Sequence, residues 1–366
     1  MIRLATVISA FKADFLAQYG HRLGDDHLRA LLAMARCRNQ ASPKMQVRCE
    51  GEACAHQMLV PHSCGHRHCP HCQHHESQQW LERQVRKQLP AEYFLLTFTL
   101  PAELRALCWA NQTAAYDLLL RASWETVQCF SQNDKRLKGE PGAIAVLHTH
   151  SRRLDYHPHV HLVMPAAAVD AAHKRWRTKP GRKGYLFSHK ALAKVFRAKM
   201  LAGFAVAGLK LPARCPSQWV VDCKSVGSGA KALVYLGRYL YRGVVREKDI
   251  VACGNGQVSF RFQNARTGKA EVRTVSGAQF LWLVLQHVLP KGLRRARNFG
   301  FLHPNCKRLI ALLHLLLKFV PPQGPALLRP RSPIKCPCCG AAMQIVRTRI
   351  PAVPIPISDR GQASTM

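Results

Sequence analysis

Acidic side chains are scarce in this sequence: 20 Asp and Glu stand against 54 Lys and Arg, a formal net charge of +34 in 366 residues. Metal-dependent hydrolases that rely on grouped carboxylates are therefore poorly served, and near the histidine-rich stretch at 157–161 only Asp155 is acidic. Long apolar runs are missing too. Leu309 to Val320 is about half of the ~20 residues a membrane span needs and carries His314 and Lys318. The N-terminal run Leu4 to Phe11 is short, is followed by Asp14 and lacks a cleavage site, so it does not read as a leader. No Gly-x4-Gly-Lys-Ser/Thr loop is present, which argues against chemistry driven by nucleotide hydrolysis. The expectation is a cytoplasmic protein without a membrane partner. The positive charge is spread along the chain and opposes compaction unless a polyanion neutralises it, and nucleic acid is the polyanion that fits best.

Cysteine is plentiful and clustered. Of the 15, six fall between Cys37 and Cys72, three between Cys336 and Cys339, and six are scattered singly. In a reducing compartment such clustering favours metal over disulfides. Tetrahedral zinc takes four thiolate or imidazole ligands, commonly as two close pairs. Cys49-x4-Cys54 and Cys69-x2-Cys72 supply two pairs within 24 residues and are read as one zinc site, with Cys37 and Cys64 as alternates. Cys336-Pro337-Cys338-Cys339 is half a site, which either takes Cys306 and His303 as its other half or holds no metal.

Three segments follow from composition and periodicity. Residues 1–89 read as helices and a zinc-binding, DNA-binding module; 90–320 as a mixed α and β domain; 321–366 as a proline-rich tail that is disordered after Gln344. Within the second segment Tyr93 to Thr99 is a buried strand, followed by a helix over roughly 102–130. Ala143 to His150 is a strand that a short turn at 151–156 joins to the histidine stretch as an antiparallel hairpin. Gln257 to Phe262 and Ala270 to Val275 form another hairpin around Asn264-Ala265-Arg266-Thr267-Gly268.

Two constellations carry chemistry. In His157-Pro158-His159-Val160-His161 alternate side chains share a face, so His159 and His161 can bind one metal while Val160 points into the core. His157 is the nearest candidate for a third ligand, with His148 or His150 on the paired strand as alternatives. After Gly227 and Gly229 a helix places Lys231, Tyr235 and Tyr239 at i, i+4 and i+8, flanked by Arg238 and Arg242. A tyrosine stripe is ordinarily core. Cationic neighbours and an upstream metal pair suit instead a tyrosine oxygen that attacks a phosphate, the metal polarising the phosphodiester. Lys174, Arg175, Arg177, Arg182 and Lys183, interleaved with Trp176 and Tyr185, form a candidate single-strand-binding arm, and Arg294, Arg295 and Arg297 offer further phosphate contacts.

The order of strand Phe94 to Thr99, His159-Val160-His161, then Tyr235-x3-Tyr239 resembles the HUH endonuclease superfamily. More narrowly, Tyr156-His157-Pro158-His159-Val160-His161, Tyr235-Leu236-Gly237-Arg238-Tyr239, the run His287 to Gly300 and Ser63-Cys64-Gly65-His66-Arg67-His68-Cys69-Pro70-His71-Cys72 resemble the two-tyrosine rolling-circle transposases of the insertion-sequence ninety-one type. The resemblance spans roughly residues 5–310. It implies an α+β fold with an HUH-type antiparallel sheet flanked by helices, preceded by a small zinc-binding domain. It also implies a bacterial enzyme, nucleoid-associated when bound to DNA, that moves single-stranded transposon ends. His159 and His161 would hold Mg or Mn, and Tyr235 and Tyr239 would form 5′-phosphotyrosine links. Two departures stand out: the first cysteine pair is spaced by four residues where the family usually has two, and Ala166-Ala167-Ala168 replaces a glycine-rich loop. A replication initiator of the same superfamily and a non-catalytic zinc-dependent DNA-binding protein are the rival readings.

Overall fold

A computed structural model describes residues 1–72, 74–172, 174–181, 184–241, 244–264, 267–322 and 333–351, without the side chains of 74–76 and 238–241. The N-terminal helical stretch divides into α1 (Leu4–Tyr19) and α2 (Asp25–Ala35), separated where Gly20 and Gly24 interrupt the pattern. A hairpin of β1 (Lys44–Cys49) and β2 (Gln57–Pro61) and helix α3 (His74–Val85) complete the cysteine-rich region. Then come β3 (Tyr93–Thr99), α4 (Arg105–Ala110) and α5 (Gln112–Asn133). The single helix expected over 102–130 is broken at Asn111, whose φ of −130° and ψ of 46° end α4 and launch α5.

Strands β4 (Glu140–His150), β5 (Tyr156–Pro165), β6 (Ala167–Asp170) and β7 (Arg175–Thr178) precede α6 (His189–Val206) and β8 (Val220–Ser225). Helix α7 (Ala230–Tyr241) carries the tyrosine pattern. A three-stranded sheet, β9 (Ile250–Gly254), β10 (Gln257–Gln263) and β11 (Ala270–Ser276), leads into α8 (Gly277–Leu285). The chain continues through β12 (Ala296–Gly300), α9 (Lys307–Leu316) and β13 (Met343–Ile350).

The main sheet has the order β7-β6-β4-β5-β3-β8, with β12 also paired to β4, and every pairing is antiparallel. This is the α+β architecture expected, with β5 central and helices on both faces. Because side chains alternate, each strand feeds two cores. Phe94, Leu96, Phe98, Leu147, Val160 and Leu162 face α5 and α6 and pack with Leu119, Phe196 and Phe204, all fully buried. Each such side chain contributes about 1.5–3 kcal/mol, which makes this layer a rigid frame. Tyr93, Leu95, Ile144, Val146 and Val163 face the other way and pack with Trp80 and Leu81 of α3 and Leu233 and Leu236 of α7.

The N-terminal helices do not form a core of their own. Phe11 and Phe15 of α1 and Leu31 and Met34 of α2 pack with Phe280 and Leu281 of α8, with Val258 and Phe260 of β10, and with Cys37, Cys69 and Cys72. The expectation of disorder after Gln344 is overturned for residues 345–350, while 352–366 lie outside the described residues. Residues 343–350 form β13, which pairs antiparallel with β1 from Cys49↔Met343 to Lys44↔Ile350. Proline-rich flanks hid a strand whose partner lies some 300 residues upstream.

Candidate active site and metal clusters

One face of the main sheet changes character along its length. On β4 it reads Ile144, Val146, His148; on β5, Val163, His161, His159; on β3, Leu95, Thr97, Thr99. The apolar half holds α7, and the polar half lies beyond it. His148 stands directly opposite His159, and His161 opposite Val146 on one side and Thr97 on the other. Directly opposed residues in an antiparallel pair have Cβ atoms about 4.5–5.5 Å apart, so this register by itself gathers three imidazoles. Their ring centroids are 5.1 Å (148–159), 4.4 Å (148–161) and 4.9 Å (159–161) apart, and one ring nitrogen from each lies within 4.8 Å of the others.

His157, the sequence candidate for third ligand, is not in this group. Its Nδ1 accepts a hydrogen bond from the Arg105 guanidinium at 2.9 Å, which turns it toward α4, and cross-strand pairing supplies His148 in its place. Nδ1 of His159 contacts the carbonyl of His157 at 2.7 Å, and Nδ1 of His161 contacts Thr97 Oγ1 at 3.2 Å. Both contacts leave Nε2 available and fix the ring, as partners of metal-binding histidines do. Burial pushes the pKa of His159 and of His161 down to about 3. His148 is held well below the usual range by burial first, then by His161, His159 and Arg295. Neutral imidazole is the form that ligates metal.

Helix α7 is seated by small-residue contacts. Gly229, at its entry, has φ +81°, and a Cβ there would come within 2.6 Å of the Tyr93 ring. The carbonyl of Gly237 accepts a hydrogen bond from Ser77 Oγ at 2.9 Å. With Leu233 and Leu236 buried, Tyr235 projects from the other side, 39% exposed. Its ring centroid is 5.9 Å from that of His161 and 6.5 Å from that of His148. Tyr239 lies one turn further along α7; its side chain and that of Arg238 fall outside the described residues, as do Arg242, Arg182 and Lys183 altogether. Lys231 is exposed on α7.

The other cationic candidates separate into two groups. Arg295 lies at the site: its Nε donates to the Leu147 carbonyl at 2.9 Å, and its charge helps depress His148. Arg294 is exposed beside it. Lys174 and Arg175 are exposed at the far edge of the sheet, while Arg177 pairs with Asp170 at 2.8 Å and Arg297 with Asp117. β6 meets β4 only at Glu140 and Pro141, seven to eight residues along the strand from His148, a span of about 23–26 Å at about 3.3 Å per residue, so this arm hangs from the opposite end of β4. Sequence reading missed Thr97, and also Asp222, which β8 places opposite Thr97 and whose carboxylate lies 3.7 Å from His189 Nδ1. Only strand register reveals either.

The cysteines regroup. Cys37, Cys64, Cys69 and Cys72 bring four sulfurs together, with separations of 3.6 Å (64–72), 3.6 Å (37–69) and 3.9 Å (37–72). Four thiolates on tetrahedral zinc at about 2.3 Å stand about 3.8 Å apart, so the set fits zinc. Cys49 and Cys54 are not part of it. The β1–β2 hairpin carries them away from Cys69 and Cys72 and sets them against Cys336 and Cys339, correcting the grouping read from spacing. Cys306 and His303 do not complete the Cys336 half-site; Cys306 Sγ contacts the Gly300 carbonyl and His303 caps the turn before α9.

A cleft of about 300 Å³ opens beside Tyr235, lined by Arg152, Arg246, Arg261, Phe262 and Gln263. Arg246 is engaged by Asp249, whereas Arg152 and Arg261 are exposed.

A family model described as "Transposase zinc-binding domain" matches residues 7–100, and one described as "Putative transposase" matches residues 142–309. A Sinorhizobium fredii (strain NBRC 101917 / NGR234) protein named "Putative transposase y4qJ" is 32% identical, with 79% of each chain covered. The chain belongs to the IS91 transposase family. The "Transposase for insertion sequence element IS801" of Pseudomonas savastanoi pv. phaseolicola is 27% identical over 88% of this chain and 83% of its own. No solved structure matches the chain. For this IS91-family transposase the first four-cysteine cluster lies inside the matched zinc-binding segment, apart from the histidine cluster in the matched transposase segment. Among the described residues no helix is long and apolar enough to cross a membrane.

Proposed function

We infer that this transposase cuts and rejoins single-stranded DNA, with Tyr235 and Tyr239 as nucleophiles and with His148, His159 and His161 holding Mg2+ or Mn2+. The observation that carries the reading is the position of Tyr235, projecting from α7 above the buried His148 and the half-buried His161 and His159, whose imidazoles are held neutral. A bound divalent ion supplies Lewis-acid polarisation of the scissile phosphate. The protein's own groups do the rest. Thr97 and the His157 carbonyl orient two of the rings. Arg295 adds fixed positive charge where negative charge develops on phosphate oxygens. The Tyr235 oxygen forms a bond to phosphorus as the bond to the 3′ oxygen breaks; the phenolic proton is given up and the departing 3′ oxygen takes one from solvent. The product is a 5′-phosphotyrosine and a free 3′-hydroxyl. Attack by a 3′-hydroxyl on that linkage reverses the step without added energy, which is what strand transfer needs, and the second tyrosine one turn away allows two strands to be handled. The cleft lined by Arg152 and Arg261 gives the strand a cationic path to Tyr235.

The test is a denaturing gel of full-length protein with labelled single strands from the ends of its own element, with Mg2+ or Mn2+ and with chelator. The expected result is a metal-dependent, protease-sensitive adduct that disappears in the Tyr235→Phe/Tyr239→Phe variant while zinc content is unchanged. An adduct that persists in that variant, or that forms equally in chelator, overturns the reading.

A further inference from the structure

A second set of four sulfurs comes together from opposite ends of the chain. Cys49 ends β1 and Cys54 lies in the turn between β1 and β2, and Cys336 and Cys339 lie in a turn shortly before β13. All four Sγ atoms lie within 4.8 Å of one another; Cys49 and Cys339 are 3.3 Å apart, and Cys54 and Cys336 are 3.8 Å apart. A disulfide would need about 2.05 Å. A tetrahedral tetrathiolate site needs about 3.8 Å, close to the 3.6–3.9 Å of the first cluster.

The backbone at each pair is bent to suit. Gly51 N–H donates to Cys49 Sγ at 3.3 Å, the same two-residue arrangement that His66 N–H makes with Cys64 Sγ at 3.5 Å in the first cluster. Cys54 N–H donates to the Gly51 carbonyl, and Gly340 N–H to the Cys336 carbonyl, both at 2.9 Å. Each pair therefore sits in a closed turn that aims two sulfurs one way.

We propose that Cys49, Cys54, Cys336 and Cys339 bind a second zinc ion, and that this ion clasps the C-terminal segment onto the N-terminal module. Apolar packing at this attachment is thin. The fully buried core beneath this three-stranded sheet is Val47, Cys49, Cys336 and Met343, two of them cysteines of the cluster itself; Met45, Met58, Val60 and Ile334 are only partly buried against it, and most of β13 is exposed. A patch that small does not repay the ordering of the segment, and small folds of this kind draw their stability from metal. Cys336 and Cys339 lie outside both matched segments, 7–100 and 142–309, so the site is assembled only when the chain end returns. The inference holds whatever strand chemistry the tyrosines perform.

Native mass spectrometry of the full-length protein, with limited trypsin digestion as a second readout, tests it. Wild type is expected to carry two zinc ions. Cys336→Ser/Cys339→Ser and Cys49→Ser/Cys54→Ser are each expected to carry one, and in both, cleavage at Arg347 and Arg349 should accelerate at least about tenfold as β13 detaches. Cys338→Ser, at the exposed cysteine outside the group, should keep two zincs and the wild-type digestion rate. One zinc in wild type, two retained in the Cys336/Cys339 variant, or loss from one serine pair and not the other would overturn the proposal. If either pair prevents folding, the wild-type stoichiometry decides alone.

Discussion

Burial, more than hydrogen bonding, sets the protonation of the most deeply buried histidines, and His287, outside the three-histidine group, isolates the effect. It is buried, with Nδ1 against Thr149 Oγ1 at 3.2 Å and Nε2 against the Leu154 carbonyl at 2.9 Å, and its pKa is pushed down to about 3. In the unfolded chain the same group titrates near 6.5. Its contribution to stability is thus fully present above pH 6.5 and is lost as pH falls from there toward 3. Linkage puts the loss at about 2 kcal/mol by pH 5. Urea unfolding at pH 7 and pH 5 should therefore show a smaller acid-induced drop in His287→Gln than in wild type, whatever the variant's stability at pH 7. Equal drops would mean that His287 is not held neutral in the fold. His159, His161 and Tyr235 were legible in the sequence because period-two and four-residue spacings announce a shared face. His148 was one alternative among several. Choosing it requires the register of the β4–β5 hairpin, which a bulge near His150 shifts by one residue, and spacing alone does not reveal that.

Helix α7 depends on how closely its first turn can approach the sheet. Gly229 has φ +81° and a Cβ would meet the Tyr93 ring, whereas Gly227, with φ +61°, has nothing within 4 Å of the same position. Gly227→Ala should cost about 1–2 kcal/mol for the left-handed backbone alone. Gly229→Ala adds a steric clash, should destabilise by more, and should slow adduct formation by displacing Tyr235; urea midpoints and single-turnover rates compare the two. Similar penalties at both sites would show that the approach to Tyr93 does not seat α7. Among the elements, both hairpins and the strand 93–99 were legible because apolar alternation and turn residues are local signals. Strand β13 was not, because an exposed edge strand has no apolar alternation to display: its burial comes from Met343 alone at one end.

With 54 cationic against 20 acidic side chains, the molecule as a whole should bind single strands with steep salt dependence. If Arg152 and Arg261 each neutralise one phosphate, replacing both with alanine should lower the magnitude of the slope of log K against log salt by about 1.4, from about 0.7 per contact on single strands. An unchanged slope would remove the cleft from the path of the DNA. Composition and motifs put a cysteine-rich segment before a mixed α and β one, and the matched zinc-binding segment 7–100 does precede the matched transposase segment 142–309. They did not show how the two share material, since the shared core of α1, α2, α8 and the first cysteine cluster joins residues more than 200 positions apart.

That joint extends to the histidine cluster. The Arg67 guanidinium donates to the Leu293 carbonyl at 3.2 Å, and Leu289 N–H donates to His68 Nε2 at 3.1 Å, so the loop between Cys64 and Cys69 grips the segment that delivers Arg295 to Leu147 and His148. The cysteine-rich region is thus no detachable cassette. Recombination between relatives that exchanged residues 1–89 alone would break a fitted seam, and a working hybrid would have to inherit residues 287–295 from the same parent. Sequence divergence on the two sides of that seam is therefore expected to run in step.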